Sequence, residues 1–249
     1  MSESPRPPPV EAVPAATILL LRDDPFEVLM VRRRKSSHFS SALVFPGGLV
    51  DPEDRDEAWL AHVSGADALT DHDRALRIAA CRETYEEASV ILGGRSHAVE
   101  AGVAFIDVVS RQGARLPLGE IVRFGHWITP LRAPKRFDTH FYIAAAPDGA
   151  EPCCDGDETV SLEWVRPNDA IARAEGGEHT ILFPTLMNLR MLARSETVSA
   201  AFAAARSRTV FTVMPRVEKR PEGLVVVIPE DAGYGLTEYA APEVAGKAD

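Results

Sequence analysis

Apolar positions recur along this chain with two periods, alternation over short runs and helical spacing over longer ones, and together these divide it into strands and helices. From Ala15 to Leu21 and from Val28 to Arg34 the residues are largely aliphatic, and Asp23-Asp24-Pro25 between them signals a turn, so the two runs predict an antiparallel hairpin. Ala42 to Phe45 is a third strand, stopped by Pro46-Gly47-Gly48, where backbone can approach a ligand without obstruction by a Cβ. A helix is predicted from about Asp73 to Val90, with Thr70 and Asp73 resembling a capping box at its start. Between these, 55–71 adds a helix and a loop with Trp59, Leu60 and Val63 as its apolar positions.

Ala101 to Val109 reads as a further helix, and Phe124 to Leu131 and Arg136 to Ala145 as strands joined by a turn at Ala133-Pro134-Lys135. Alternation in the second strand puts Phe137, Thr139 and Phe141 on one face and Arg136, Asp138, His140 and Tyr142 on the other. That polar face, with His126, is a place for a substrate or a catalytic base, or simply a strand end in water. Glu158 to Val165 predicts another strand, and Pro167-Asn168-Asp169 opens a helix. Two helices follow, Pro184 to Ala193 with Leu186, Leu189 and Leu192, and Glu196 to Ala205, which either pack on the core or cap a site. Val210 to Met214 and Leu224 to Ile228 flank the turn Arg220-Pro221-Glu222-Gly223 as a hairpin outside the core. The alternation of segments predicts an α+β fold in which helices cover both faces of a sheet.

The chain has 249 residues, 45% of them hydrophobic, enough for a sizeable core, and no Gly/Ser linker or charge block divides it. We read one domain over 15–235, with the insertion at 55–71 and a C-terminal extension at 178–230. Pro5, Pro7, Pro8, Pro9 and Pro14 mark 1–14 as a disordered tail, and 236–249 as a second, flexible one. A net charge of -10 argues against a nucleic-acid backbone as partner. A small phosphorylated substrate needs only a local basic patch, which Arg32-Arg33-Arg34-Lys35 supplies unless it is merely a solvated strand end. Three cysteines, Cys81, Cys153 and Cys154, form no even framework and no CXXC pair. No apolar run approaches the roughly 20 residues of a membrane span. With no secretory pattern and no peroxisomal address in Lys247-Ala248-Asp249, the expected compartment is the cytoplasm.

The densest chemistry lies in Arg82-Glu83-Thr84-Tyr85-Glu86-Glu87. Residues three and four apart share a helix face, so Glu83, Glu86 and Glu87 converge. Three such carboxylates suit a hard divalent cation, although REXXEE alone also describes a solvated acidic face. Joined to Gly47-Gly48, the segment resembles the Nudix box, GX5EX7REUXEEXGU with U aliphatic. The spacing from Gly48 reaches Asp54 where the family has Glu, and 27 residues instead of seven separate it from Arg82. Thr84 stands at an aliphatic position and Ser89 replaces the Gly after the second Glu pair. A box interrupted here, with Ala75 to Cys81, Trp127 to Pro130, Arg136-Phe137-Asp138-Thr139 and Ile181 to Thr185, resembles the coenzyme A diphosphatase branch over roughly 15–230.

That resemblance implies a Nudix-type α/β/α sandwich with a mixed sheet. It further implies Mg2+ or Mn2+ held by Glu83 and Glu87, with Glu86 a ligand or the group that handles the proton, and with the Gly47 carbonyl as an added donor. Arg82, which cannot ligate a cation, would orient a neighbouring carboxylate. Arg32, Arg34, Arg136 and Asp138 are the substrate-binding candidates. The implied reaction cleaves the diphosphate of coenzyme A or acyl-coenzyme A into 3′,5′-ADP and a phosphopantetheine product. ADP-ribose, NADH and nucleotide sugars require the same metal helix, and a nucleotide-binding regulator without activity is the reading from another class. Oligomeric state stays open, a homodimer included.

Overall fold

The computed structural model describes residues 10–33, 42–154, 159–221 and 223–240. Its strands are β1 (Val13–Arg22), β2 (Glu27–Arg33), β3 (Ala42–Val44), β4 (Gly47–Leu49), β5 (Val63–Ser64), β6 (Leu116–Pro117) and β7 (Val122–Ile128). They continue with β8 (Phe137–Ala145), β9 (Thr159–Val165), β10 (Thr180–Ile181), β11 (Thr212–Val213), β12 (Arg216–Arg220), β13 (Gly223–Val227) and β14 (Glu238–Ala240). The helices are α1 (Asp71–Ala88), α2 (Phe105–Arg111), α3 (Pro167–Glu175), α4 (Phe183–Leu192) and α5 (Val198–Ser207).

The main sheet runs β10-β3-β2-β1-β8-β7-β11, with β4 also on β1 and β9 also on β2. It is mixed, because β1 lies parallel to β8 from Val13 opposite Phe137 to Leu21 opposite Ala145. β1 and β2 share only the pairs Leu21–Val28 and Arg22–Glu27 beside their turn. Beyond it they part, β1 taking β4 as neighbour and β2 taking β9. The sheet is thus split at the place where the Gly47-Gly48 segment enters.

Side-chain alternation along β1 and β8 supplies both faces with apolar residues. Ala16, Ile18, Leu20, Tyr142 and Ala144 meet Leu76, Ala79 and Ala80 of α1 and Phe105, Val108 and Val109 of α2. Leu19, Leu21, Phe141 and Ile143 meet Leu186, Leu189 and Leu192 of α4, Ala201 of α5 and Ala170 of α3. The helix pair after Pro184 therefore packs on the core, on the face opposite α1. Thr70 caps α1, its hydroxyl oxygen accepting from the Asp73 N–H at 3.1 Å.

Four segments differ from the sequence reading. The helix expected in 55–71 is a short 3-10 turn, Glu57–Ala61. Trp59 is buried against Phe105, ring centroids 5.5 Å apart, and Val63 is buried as well, but Leu60 is 52% exposed. Val210 to Met214 is not a hairpin partner: Thr212–Val213 joins the main sheet beside β7, and the hairpin is made by β12 and β13. Val13 and Pro14 belong to β1, inside the segment expected to be disordered. Glu238–Ala240, within the expected C-terminal tail, pairs with β13.

Candidate active site

The site forms where α1 crosses β4. Gly48 faces the helix so closely that a Cβ there would lie 2.4 Å from Glu83 Oε1, and at Gly47 a Cβ would lie 2.6 Å from the Ala16 carbonyl oxygen. Both glycines are therefore fixed by close approach. The Gly47 N–H donates to Glu87 Oε2 at 3.1 Å, so Glu83 and Glu87 both stand against this pair of residues. Glu87 is 6% exposed, and Glu86 is the outermost of the three, its side chain 43% exposed.

Arg82 ties these groups together. Its Nε and Nη2 donate to Asp54 Oδ1 and Oδ2, both at 3.0 Å, a bidentate contact, and Nη2 also donates to the Leu49 carbonyl at 2.8 Å. Nη1 donates to Glu83 Oε1 and Glu86 Oε2, each at 2.8 Å. Asp54, 1% exposed, accepts additionally from the Asp51 N–H at 2.8 Å. The residue that the interrupted spacing placed at the family's first Glu thus meets the family's Arg in space, despite the insertion. Burial opposes the charge of Arg82, but Asp54, Glu83 and Glu86 outweigh it and hold the guanidinium firmly protonated. Burial draws the carboxyl of Asp54 upward, against the pull of Arg82. Burial likewise raises Glu86, again opposed by Arg82.

The two departures at the helix end are accommodated locally. Thr84 is fully buried, and its hydroxyl donates to the Ala80 carbonyl at 2.7 Å, leaving its methyl for the core. Ser89 ends α1 in the left-handed region at φ 58°, and its hydroxyl donates to the Cys153 carbonyl at 3.0 Å. Burial pushes the Cys81 thiol well up, so it behaves as a small apolar side chain.

The remaining candidates lie elsewhere. Arg32 follows the alternation of Val28 and Met30, which puts it on the α3–α5 face, where Nη2 lies 3.0 Å from His179 Nδ1. Arg34 falls outside the described residues. Arg136 is 8% exposed and donates to the carbonyls of Thr129 at 3.1 Å and Val10 at 2.6 Å, so it holds the β7–β8 turn to the chain entering β1. Asp138 lies beside His126 and His140, on the α1 face of the sheet.

An all-oxygen donor set, pinned by a buried Arg–Asp pair and by a glycine cradle, fits Mg2+ or Mn2+ better than a softer ion. Gly48→Ala is expected to push the Glu83 carboxylate off β4, weakening the cation at least tenfold while circular dichroism stays unchanged. A Mg2+ titration of the variant checks this, and an unchanged affinity would remove Glu83 from the expected cation site.

Comparisons with known proteins bear on the family. The NUDIX domain profile matches residues 12–184. The chain is 27% identical over 194 residues to "Putative nudix hydrolase 7" of Caenorhabditis elegans, covering 72% of this chain and 60% of that protein. It is 24% identical over 284 residues to an acyl-coenzyme A diphosphatase of Gallus gallus, covering 84% of this chain and 73% of that protein. A crystal structure of a NUDIX hydrolase from Alicyclobacillus acidocaldarius superposes with a TM-score of 0.66 at 30% identity, covering 78% of this chain and 96% of that one. With the profile spanning most of the chain and the interrupted box closed in space by Asp54 and Arg82, this protein belongs to the Nudix family.

Proposed function

We propose that this chain is a metal-dependent hydrolase of a diphosphate linkage in a nucleotide derivative, with coenzyme A or an acyl-coenzyme A as substrate. The observation that carries the reading is the gathering of three carboxylates at one end of α1, Glu83 and Glu86 by the Arg82 guanidinium and Glu87 by the Gly47 N–H, with Glu83 against Gly48. The choice of substrate is supported by the likeness to an acyl-coenzyme A diphosphatase along 84% of the chain.

In this reading water adds to one phosphorus and the bridging P–O bond breaks, the leaving phosphate keeping the electron pair. Glu83 and Glu87 hold the cation, with Glu86 as third carboxylate. When bound, Mg2+ or Mn2+ neutralises nonbridging phosphate oxygens and acidifies a coordinated water. Arg82 contributes by position, since its donors fix the carboxylates of Glu83 and Glu86 before substrate arrives. Glu86, the most exposed of the three and raised by burial, is suited to take the proton of the attacking water.

The test is mass spectrometry of the products after the purified chain meets coenzyme A and Mg2+. We expect 3′,5′-ADP and 4′-phosphopantetheine. Intact coenzyme A with turnover of ADP-ribose or NADH would move the substrate to another class. No turnover of any of them, at any Mg2+ or Mn2+ concentration, would overturn the hydrolase reading in favour of a binding domain.

A further inference from the structure

A second cluster of ligating side chains stands on the α1 face of the sheet, apart from the glutamates. In the β7–β8 ladder His126 pairs with His140, and Asp138 lies two residues before His140 on the same face. One ligand atom from each of these three residues falls within 4.8 Å of the other two. His126 Nε2 is 2.5 Å from Asp138 Oδ1, His140 Nε2 is 3.5 Å from it, and the two rings stack at 4.0 Å. Ala16 of β1 is opposite His140 on one side and Gly48 on the other. With strands about 4.8 Å apart, His140 is two strands, roughly 10 Å, from the glycine beneath Glu83.

His140 is the second and independent observation. It is 4% exposed, yet among the described residues neither of its ring nitrogens has a hydrogen-bond partner, Nε2 having only the 3.5 Å contact with Asp138. Buried polar groups are almost always satisfied, and an imidazole ring carries at least one N–H donor or one acceptor lone pair on each nitrogen. A stacked histidine pair kept only for packing would leave both nitrogens of His140 without a hydrogen bond among the described residues, in a place closed to bulk water. A cation held by Nε2 of His140, Nε2 of His126 and Oδ1 of Asp138, in place of the His126–Asp138 hydrogen bond, would give Nε2 of His140 a partner.

The surroundings have the form of an outer shell. Thr212 of β11, in register with His126, places its Oγ1 2.7 Å from His126 Nδ1, which orients the ring with Nε2 toward Asp138. His72, in the first turn of α1, stands edge-on to His140 with ring centroids 5.8 Å apart. The nearby cation Arg123 is engaged by Asp73 at 2.5 Å.

We propose that His126, Asp138 and His140 form a second metal site in this chain, selective for an ion of the zinc class. Two imidazoles and one carboxylate with a position left for water is a common donor set for Zn2+, whereas the three glutamates present oxygen alone. The two sites would therefore sort their ions by ligand chemistry: Mg2+ or Mn2+ on α1, and a borderline-soft ion on β7 and β8. Neither site depends on the other in this reading, so the zinc site stands or falls without reference to which diphosphate is cleaved.

The experiment uses the full chain, stripped with a chelator, reloaded with Zn2+ alone and passed through gel filtration before its zinc is measured by mass spectrometry. About one zinc per chain is expected in the unmodified protein and in Glu83→Gln. His126→Gln and Asp138→Asn should each lower zinc affinity at least tenfold with circular dichroism unchanged. Reloading with Co2+ should give the visible absorption bands of a four-coordinate ion, lost in Asp138→Asn. Should His126→Gln fail to fold, Asp138→Asn carries the test, because that carboxylate is partly exposed. Absence of stoichiometric zinc, zinc retained equally in Asp138→Asn, or zinc lost only in Glu83→Gln would each overturn the proposal.

Discussion

Replacing Glu87 by Gln is expected to lower turnover about a thousandfold while the fold stays in place, equivalent to about 4 kcal/mol of barrier. The two side chains have the same shape, and the amide oxygen of Gln can still accept from the Gly47 N–H that now meets Glu87 Oε2 at 3.1 Å. Packing around a position that is 6% exposed is thereby preserved. What disappears is the negative charge, and with it, on the proposed reading, a cation ligand whose value rises in a partly desolvated site. Initial rates over a range of Mg2+ concentrations, with circular dichroism as control, measure the effect. Equal rates would take Glu87 out of the machinery.

The second large effect is expected on stability. Asp54→Ala removes both acceptors of the bidentate contact with Arg82, and breaking a buried ion pair on one side costs about 3–5 kcal/mol. Glu83 and Glu86 still face the guanidinium, so the lower end of that range applies. At about 2–4 °C per kcal/mol for a chain of this size, Tm should fall by roughly 10 °C. Activity should fall with it, since Arg82 would draw Glu83 and Glu86 toward the vacated position. Asp54→Glu, which keeps the carboxylate, should lose much less. Thermal unfolding of the two variants side by side distinguishes loss of charge from loss of shape, and a Tm within a degree of the unmodified chain for Asp54→Ala would show that the other carboxylates alone satisfy Arg82.

Local spacing made the glutamates legible, because Glu83, Glu86 and Glu87 need only the helical period to share a face. Asp54 was legible through its distance from Gly48, a count that the insertion after it does not disturb. One strand of the hairpin, Leu224 to Ile228, and its turn were legible too, but the partner strand was not, for a reason visible in the residues. Arg216, Val217, Glu218, Lys219 and Arg220 lie at an exposed edge and show no apolar alternation, so β12 leaves no signal, while the apolar Val213 is taken up by the main sheet. Alternation put Asp138 and His140 on one face and set His126 beside it, but how closely the three meet was hidden. Their pairing depends on the register of β7 on β8, which shifts between Arg123 and Gly125, and no periodicity in either strand encodes that shift. For Arg32, alternation gives two faces but not which of them α1 will cover.

The parallel pairing of β1 with β8 has a consequence for the chain while it is being made. β1 is nearly continuous in buried aliphatic residues, Ile18 to Leu21 all at 0% exposure, and one whole edge of it is completed only by Phe137–Ala145. At the 5–20 residues per second of translation, that edge waits on the order of ten seconds after β1 has left the ribosome. For this interval the nascent protein displays an unpaired, strongly apolar strand, the kind of edge that recruits other chains. The centre of the finished sheet is therefore the most vulnerable part of the unfinished one, and the yield of the protein in a cell depends on whatever shields β1 until β8 arrives.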